Sequence, residues 1–223
     1  MRRVFAALAL AGTLVGGWNL SWAQDLAATL PRVERWSLMV GGGYFAPAVD
    51  EWKERYGRSG GWLPVLAGSY LAAPWLSIRA DAGYWTAESA ARNVAGAVSV
   101  ERQQLTLIPI TLSIESLLRW SSDQFAVPFV GIGYRRVAYR LAVDGKDDVR
   151  GGANGWTAHG GFDLLLNALD PSAASGLREE AGIARSYFRI EAQWAKVNAS
   201  GSAGTGDIDL GGKTFLAGLK FEF

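Results

Sequence analysis

His159 is the single histidine of the chain, and its imidazole is the side chain best suited to catalysis. An imidazole activates a serine or cysteine nucleophile when the two groups lie within hydrogen-bond reach. The chain contains no cysteine, and no motif marks a partner serine. In a strand, residues 159 and 163 share a face, because successive side chains alternate between the two faces. We therefore expect His159 to lie beside Asp163 and to make structural hydrogen bonds.

Two further stretches resemble ligand-binding loops. Residues 144–148, DGKDD, are acidic but lack the full ligand pattern and the distal glutamate of a calcium loop. Residues 204–212, GTGDIDLGG, are rich in glycine but lack the strand and helix that flank a phosphate-binding loop. We interpret the first stretch as an exposed turn and the second as a loop. The sequence predicts no metal ion, no cofactor and no catalytic site.

Charge and the N-terminal residues narrow the class of protein. The 22 basic residues nearly balance the 21 acidic ones, which does not favour a nucleic-acid partner. Arg2 and Arg3 precede an apolar run at 4–17, and SWA at 21–23 fits the pattern before a signal-peptidase site. A membrane-spanning helix needs about 17–25 apolar residues, so this run favours a signal peptide over an anchor. We predict a signal peptide at 1–23 and a short periplasmic segment at 24–34.

Hydrophobicity after residue 34 repeats with a period of two, which is typical of strands. In LSIRADAGYW, at 76–85, apolar side chains share one face and mostly polar ones the other. The same pattern predicts eight strands, at 36–47, 62–71, 75–85, 103–118, 125–143, 156–166, 185–197 and 210–223. The connections alternate in length, with long ones at 48–61, 86–102, 144–155 and 198–209. The connection at 167–184 departs from this alternation, and its LREEAGIA sequence favours a short helix.

The two faces of the predicted strands differ in polarity. In the seventh strand, Phe188, Ile190 and Trp194 share an apolar face, and charged residues share the other. An even number of antiparallel strands can close, and closure satisfies the backbone hydrogen bonds that crossing lipid requires. We therefore predict an all-β fold, an eight-stranded antiparallel transmembrane β-barrel over residues 35–223. Its lumen is expected to hold a charge network of Arg79, Asp81, Glu115, Arg135, His159, Asp163, Arg189, Glu191, Lys220 and Glu222.

The predicted lumen is narrow. An eight-stranded barrel is just wide enough for its side chains to fill, and buried charges need partners, so we predict a plug and no wide pore. Leu105 and Leu107 fall on the inner face, and a bulge at Pro109, which has no N–H, is the expected explanation. Most tryptophans lie near predicted strand ends, where aromatic girdles mark the lipid–water interfaces.

Several segments carry a resemblance to a known superfamily: VGGGYFAP at 40–47, PWLSIRADAGYW at 74–85, IPITLSI at 108–114, PFVGIGY at 128–134 and the final KFEF. The chain resembles the small outer-membrane β-barrels of Gram-negative bacteria, the superfamily of the OmpA membrane domain, OmpX and OmpW. The resemblance implies a location in the cell outer membrane. It also implies that the last strand, with Leu219, Phe221 and Phe223 on one face, is a signal read by the barrel-assembly machinery.

The resemblance is weaker for activity than for architecture. We expect a structural or surface-interaction role exercised through four external loops, without enzymatic activity. The alternatives are a narrow OmpW-like conduit for small or hydrophobic solutes and, third, a lipid-modifying enzyme, which would need a serine and an acid beside His159 on the outer face. The expected partners are outer-membrane lipid and lipopolysaccharide, which Lys53, Arg55 and Arg58 of the first loop could contact. We expect a monomer that binds no nucleic acid.

Overall fold

The computed structural model describes residues 34–48, 59–92, 98–121, 124–199 and 208–223. The predicted signal peptide at 1–23, most of the predicted segment at 24–34, and the side chains of Lys53, Arg55 and Arg58 lie outside the described residues. Within the described part of the chain, no helix is long and apolar enough to cross a membrane.

The described chain is built from strands and one short helix. The strands are β1 Trp36–Pro47, β2 Gly61–Ala73, β3 Leu76–Gly83, β4 Trp85–Arg92, β5 Val98–Leu117, β6 Ala126–Val143, β7 Val149–Leu165, β8 Arg185–Ala199, β9 Ile208–Asp209 and β10 Gly212–Glu222. The helix, α1, is Pro171–Ala181 and lies between β7 and β8. Segments β3 and β4 together form one barrel strand, as do β9 and β10, so the barrel has eight strands.

The sheet closes on itself. Neighbouring strands pair antiparallel, and β10 pairs with β8 on one side and with β1 on the other. The closing register runs from Ser37 opposite Glu222 to Pro47 opposite Gly212. Where the described strands pair with a neighbour on both sides, their backbone groups are satisfied between strands, as a lipid environment demands. The predicted fold class is therefore confirmed.

Pro109 interrupts the sheet but does not change its register. Ala82 pairs with Ile110 and Trp85 pairs with Leu107, so β3 and β4 meet β5 in the same register on both sides of the gap. The gap arises because Pro109 has no N–H to donate to the neighbouring strand. The predicted bulge at Pro109 is therefore wrong. Leu107 lies in the lumen without any change of phase and is 2% exposed.

At one end of the barrel, β4, β5 and β7 continue beyond the predicted boundaries, whereas β6 ends at the predicted Val143. Strands β5, β6 and β7 contain 20, 18 and 17 residues, and the turn between β6 and β7 is reduced to residues 144–148. Much of the long loops predicted at 86–102 and 144–155 is thus paired strand. The outer face of the β6–β7 hairpin carries Arg136, Arg140 and Arg150, so hydrophobic alternation does not mark these segments as strands. We call this end of the barrel the hairpin end, and the opposite end, with Trp36 and Phe223, the terminal end.

Helix α1 lies at the terminal end and has clear caps. The Asp170 side chain accepts hydrogen bonds from the backbone N–H groups of Ser172 and Ala173, and Pro171 occupies the first turn. Gly182, with a φ of 69°, ends the helix in the left-handed conformation that glycine adopts without strain. The helix predicted in LREEAGIA at 177–184 is present, but it begins at Pro171 and ends at Ala181.

Candidate functional site

Strand alternation builds a charged lumen inside an apolar exterior. In β8, Tyr187, Arg189 and Glu191 are buried, whereas Phe188 and Ile190 are exposed on the outside. This is the reverse of a soluble barrel, in which the apolar face is inside. All ten residues of the predicted charge network lie in the lumen, and each is at most 8% exposed.

A ring of two arginines and two glutamates crosses the lumen. Arg79 on β3 donates to Glu115 Oε1 of β5 at 3.0 Å and to Glu191 Oε2 of β8 at 2.6 Å. Arg189 on β8 donates from Nη2 to the same Glu115 oxygen and from Nε to Glu191 Oε2 at 2.8 Å. Each guanidinium therefore bridges both carboxylates. The ring joins β8 to β3 and β5, although β8 pairs with neither of those strands.

His159 belongs to this ring through Glu115. Its Nε2 lies 3.1 Å from Glu115 Oε1, and its imidazole lies 6.4 Å from the ring of Phe129, between centroids. The expectation that His159 lies beside Asp163 is wrong. The two residues share a face, but four residues along a strand correspond to about 13 Å, too far for their side chains to meet. Gly131, opposite His159 in the register, leaves the space that the imidazole fills, since a Cβ there would collide with Nε2.

A second charged group lies between the Arg–Glu ring and the terminal end. Lys220 Nζ lies 2.8 Å from Asp163 Oδ2 and 3.4 Å from Glu222 Oε1. Arg119 Nη2 approaches Glu222 Oε1 at 2.9 Å. Arg119 was not predicted as a member of the network because it follows β5 in a turn, where the period of two no longer assigns a face. Burial and the Glu222 carboxylate act on Arg119 in opposite directions, and its pKa lies above the usual range.

A third group lies between the Arg–Glu ring and the hairpin end. Arg135 donates from Nε to Thr111 Oγ1 at 2.9 Å and from Nη2 to Gln193 Oε1 at 2.7 Å. Gln193 in turn donates to Glu191, which connects Arg135 to the ring. Asp81 lies 3.8 Å from Arg79 Nε. Gln193 is a further member of the network that the search for charged residues missed, although the strand alternation places it on the inner face.

Apolar clusters lie on both sides of the Arg–Glu ring along the lumen. The cluster toward the hairpin end includes Phe45, Leu63, Trp85, Leu107 and Val137, and Trp85 is only 1% exposed. The cluster toward the terminal end consists of Leu117, Val127, Phe129, Leu165 and Tyr187. Cavities in these two regions hold about 10 Å³ each, roughly the space of one water molecule. Because Trp85 is buried in the first of these clusters, it does not belong to the expected tryptophan girdle at the surface.

The exterior is an apolar belt with aromatic residues near its edges. Ile110, Leu112, Ile114, Val130 and Ile132 are all more than half exposed. Toward the hairpin end, Trp156 and Trp194 pack edge to face with 4.7 Å between ring centroids. At the terminal end, Trp36 and Tyr70 lie 4.9 Å apart. Contact of such a surface with lipid is favourable, whereas its exposure to water would cost free energy.

The described carboxylates and the imidazole are not arranged for metal binding. No group of three or more His, Cys, Asp or Glu side chains within the described ranges could hold a metal ion. Arginine or lysine groups face Glu115, Glu191 and Asp163 instead. The arrangement is suited to holding strands together across the lumen.

Comparison with known proteins identifies solved structures that have a similar fold. No family model and no curated protein matches the sequence. Among solved structures, the chain is similar to the outer membrane protein OprG from Pseudomonas aeruginosa, with 12% identity and a TM-score of 0.57 over 86% of this chain and 96% of OprG. It is also similar to Neisserial surface protein A, NspA, with 13% identity and a TM-score of 0.53 over 84% of this chain and 97% of NspA. The fold is that of the small outer-membrane barrels. The apolar exterior belt is suited to contact with lipid.

Proposed function

We propose that the protein is a closed, non-conducting outer-membrane barrel whose role is structural and is exercised at the surface through the strands of its hairpin end. The observation that carries the proposal is the ring of Arg79, Glu115, Arg189 and Glu191, which crosses the lumen. A solute would have to displace this ring and both apolar clusters to pass.

The cost of opening supports a permanent plug. Removing one partner of a buried ion pair costs about 3–5 kcal/mol, because the remaining charge is left unpaired in a medium of low polarity. Each member of the ring faces two partners, so an opening motion breaks several contacts together. Arg189 also lies over the Phe129 ring, with 3.6 Å from Cζ to the centroid, which holds the guanidinium against the apolar cluster below.

The alternative is a narrow conduit for small or hydrophobic solutes. It would require the lumenal network to rearrange, and the small cavities favour the plugged barrel over it. A lipid-modifying activity through His159 would need the imidazole on the outer face, whereas it is 7% exposed and bonded to Glu115 in the lumen.

The test is electrical. Protein from residue 24 onward is refolded in detergent, its folding is verified by heat-modifiable gel mobility, and its conductance is recorded in a planar bilayer. We expect no steady channel openings from the wild-type chain. The double variant Arg79→Ser/Arg189→Ser removes two large side chains from the ring and leaves both apolar clusters in place, so openings from this variant alone would show that the ring closes the lumen. Steady, reproducible openings of the wild-type chain would make the conduit the better function.

A further inference from the structure

We propose that the outer face of β6 and β7 binds a phosphorylated glycolipid of the surrounding membrane, through Arg136, Arg140 and Arg150 above an apolar groove. This inference goes beyond the proposed structural role and does not depend on whether the lumen conducts. It rests on the side chains that point away from the barrel, whereas the plug rests on those that point inward.

The three arginines share one outward surface. Arg140 lies directly opposite Arg150 in the register of β6 and β7, and Arg136 lies on the same face of β6. The guanidinium of Arg136 extends over Gly152, where a Cβ would lie 3.7 Å from Nη2. Gly152 lies between Arg136 and Arg150 on this surface, so the side chain of Arg136 points toward the other two arginines and away from the lipid belt.

The cluster has an excess of positive charge. Asp148 is the carboxylate that it contacts, at 2.6 Å from Arg140 Nη2 and 3.2 Å from Arg150 Nη2. Like charges directly opposite each other on neighbouring strands are unfavourable, and Asp148, in contact with both arginines, outweighs their repulsion but leaves the three arginines with a net positive charge. Asp144 and Asp147 lie in the turn itself and are exposed. The three arginines would attract an anion, and guanidinium groups suit the geometry of phosphate.

An apolar groove lies below the cluster on the same face of the barrel. It has a volume of about 850 Å³ and is lined by Ile78, Leu112, Ile114, Ile132, Tyr134 and Trp156. Tyr134 pairs with Trp156 across the strands, and Arg136 follows Tyr134 by two positions. Along these strands the surface therefore changes from apolar to aromatic to basic. A lipid likewise changes along its length from apolar acyl chains to a charged, phosphorylated headgroup.

The distance that the three arginines span along the strands favours a glycolipid over a lipid with a single phosphate. Arg136 and Arg140 are four residues apart, which corresponds to about 13 Å along the strand. The Arg136 guanidinium extends over Gly152 and shortens this distance, but a single phosphate contacts only part of a cluster of three arginines. A large sugar headgroup with several anionic groups reaches both levels. The hairpin end faces outward on the proposed orientation, in which the termini of the barrel lie on the periplasmic side.

The test is lipid binding to the refolded chain in detergent, measured by native mass spectrometry across a lipid titration. The probe is bisphosphorylated, hexa-acylated lipid A. We expect the double variant Arg136→Gln/Arg150→Gln to bind it about tenfold or more weakly than wild type, since two charge-assisted contacts are lost. The matched control is Arg35→Gln/Arg178→Gln, which removes the same charge at the terminal end and should bind like wild type.

Three comparison ligands separate the contribution of the arginine cluster to binding from that of the apolar groove. Chemically dephosphorylated lipid A should bind weakly and equally to both variants, and the soluble phosphorylated disaccharide without acyl chains should bind weakly to all proteins. Phosphatidylglycerol should not distinguish the variants. Equal affinity of both variants for phosphorylated lipid A would overturn the proposal. So would tight binding of the disaccharide alone, or the same tenfold loss for phosphatidylglycerol. Heat-modifiable mobility of each variant verifies folding before the titration.

Discussion

At the scale of single residues, Arg79 and Arg189 each contact three carboxylates in the lumen. The Arg79 guanidinium contacts Glu115, Glu191 and Asp81, which come from three different strands of the barrel. Three carboxylates around one arginine would repel each other if that arginine were removed. A buried ion pair is not in itself evidence for high stability, but breaking one is costly. A single substitution of Arg79 therefore tests the network.

We expect Arg79→Ala to lower the free energy of unfolding by about 3–5 kcal/mol, because it leaves Glu115 and Glu191 with fewer partners in the lumen. The measurement is urea-induced unfolding of the barrel in lipid vesicles, followed by heat-modifiable mobility. The matched control is Arg140→Ala, which breaks an ion pair in which the Arg140 side chain is 54% exposed. Exposed pairs contribute about 0–1 kcal/mol. Equal stabilities of the two variants would contradict the role assigned to the lumenal ring.

The sequence pattern does not identify which lumenal side chains contact each other. A period of two assigns Arg189, Glu191 and His159 to the inner face, but it carries no information on which of them meet. The partner of His159 is Glu115, 44 residues earlier in the chain, and is set by how far the strands are staggered around the barrel. Arg119 lies in a turn, beyond the reach of the pattern. The composition of the lumen is therefore largely predictable, whereas its pairing requires the register.

At the scale of secondary structure, the predicted boundaries were wrong where strands leave the apolar belt. Gly151 and Gly152 in β7 suggest a loop, yet both lie in a hairpin paired with β6. Gly151 leaves space for the ring of Tyr139, since a Cβ there would collide with its hydroxyl. Hydrophobic alternation reports contact with lipid or a core. A strand pair beyond the bilayer has neither on its outer face, so its length could not be predicted.

Helix α1 offers a test of pH dependence at the terminal end. Hydrogen bonds from the backbone N–H of Ala173 and from the Ser172 hydroxyl lower the pKa of the Asp170 carboxyl. A lowered pKa in the folded state means that this stabilisation is present above the ordinary carboxyl pKa and is lost as the pH falls through the lowered value. We expect amide hydrogen exchange in the first turn of α1 to lose protection at acidic pH, with the barrel strands unaffected.

Two substitutions at position 170 distinguish the hydrogen bonds that the Asp170 side chain accepts from the effect of its negative charge. Asp170→Asn keeps a side-chain oxygen that accepts the same backbone hydrogen bonds, so the protection of α1 should remain and lose its dependence on carboxyl titration. Asp170→Ala removes the acceptor, and the first turn should exchange rapidly at every pH. If Asp170→Asn shows the same loss of protection at acidic pH as wild type, another titrating group controls the helix.

At the scale of the whole molecule, the lumen is close to electrically neutral. In the described part of the chain, Arg79, Arg119, Arg135, Arg189 and Lys220 lie with Asp81, Glu115, Asp163, Glu191 and Glu222. Arg79, Arg119, Arg189 and Lys220 each contact a carboxylate. Arg135 donates to Thr111 and Gln193 instead, so these buried charges are paired or hydrogen-bonded in the closed barrel. The near balance of charge on the inner face is visible in the sequence. The layered arrangement, with apolar clusters on both sides of the Arg–Glu ring, follows from the register and was not predicted.

The last strand closes the sheet by pairing with both β1 and β8. Phe223 donates its backbone N–H to the carbonyl of Trp36 at 2.8 Å, while its side chain is 42% exposed on the outer face. Its ring therefore contributes little to the packing of the folded lumen. We propose that the outward row of Leu219, Phe221 and Phe223 is recognised by the barrel-assembly machinery before the barrel closes.

This proposal predicts different effects on assembly and on stability. Phe223→Ala should reduce the heat-modifiable, membrane-inserted fraction in cells several-fold, whereas the same variant refolded in detergent should melt close to wild type. The matched control is Trp120→Ala, which removes an aromatic side chain that is 76% exposed in the turn after β5 at the same end; it should change neither measurement. An equal loss of refolding and of cellular insertion in Phe223→Ala would mean that the ring stabilises the closed barrel. A separate loss of insertion would show that the exposed ring acts before folding, when the strand is still unpaired.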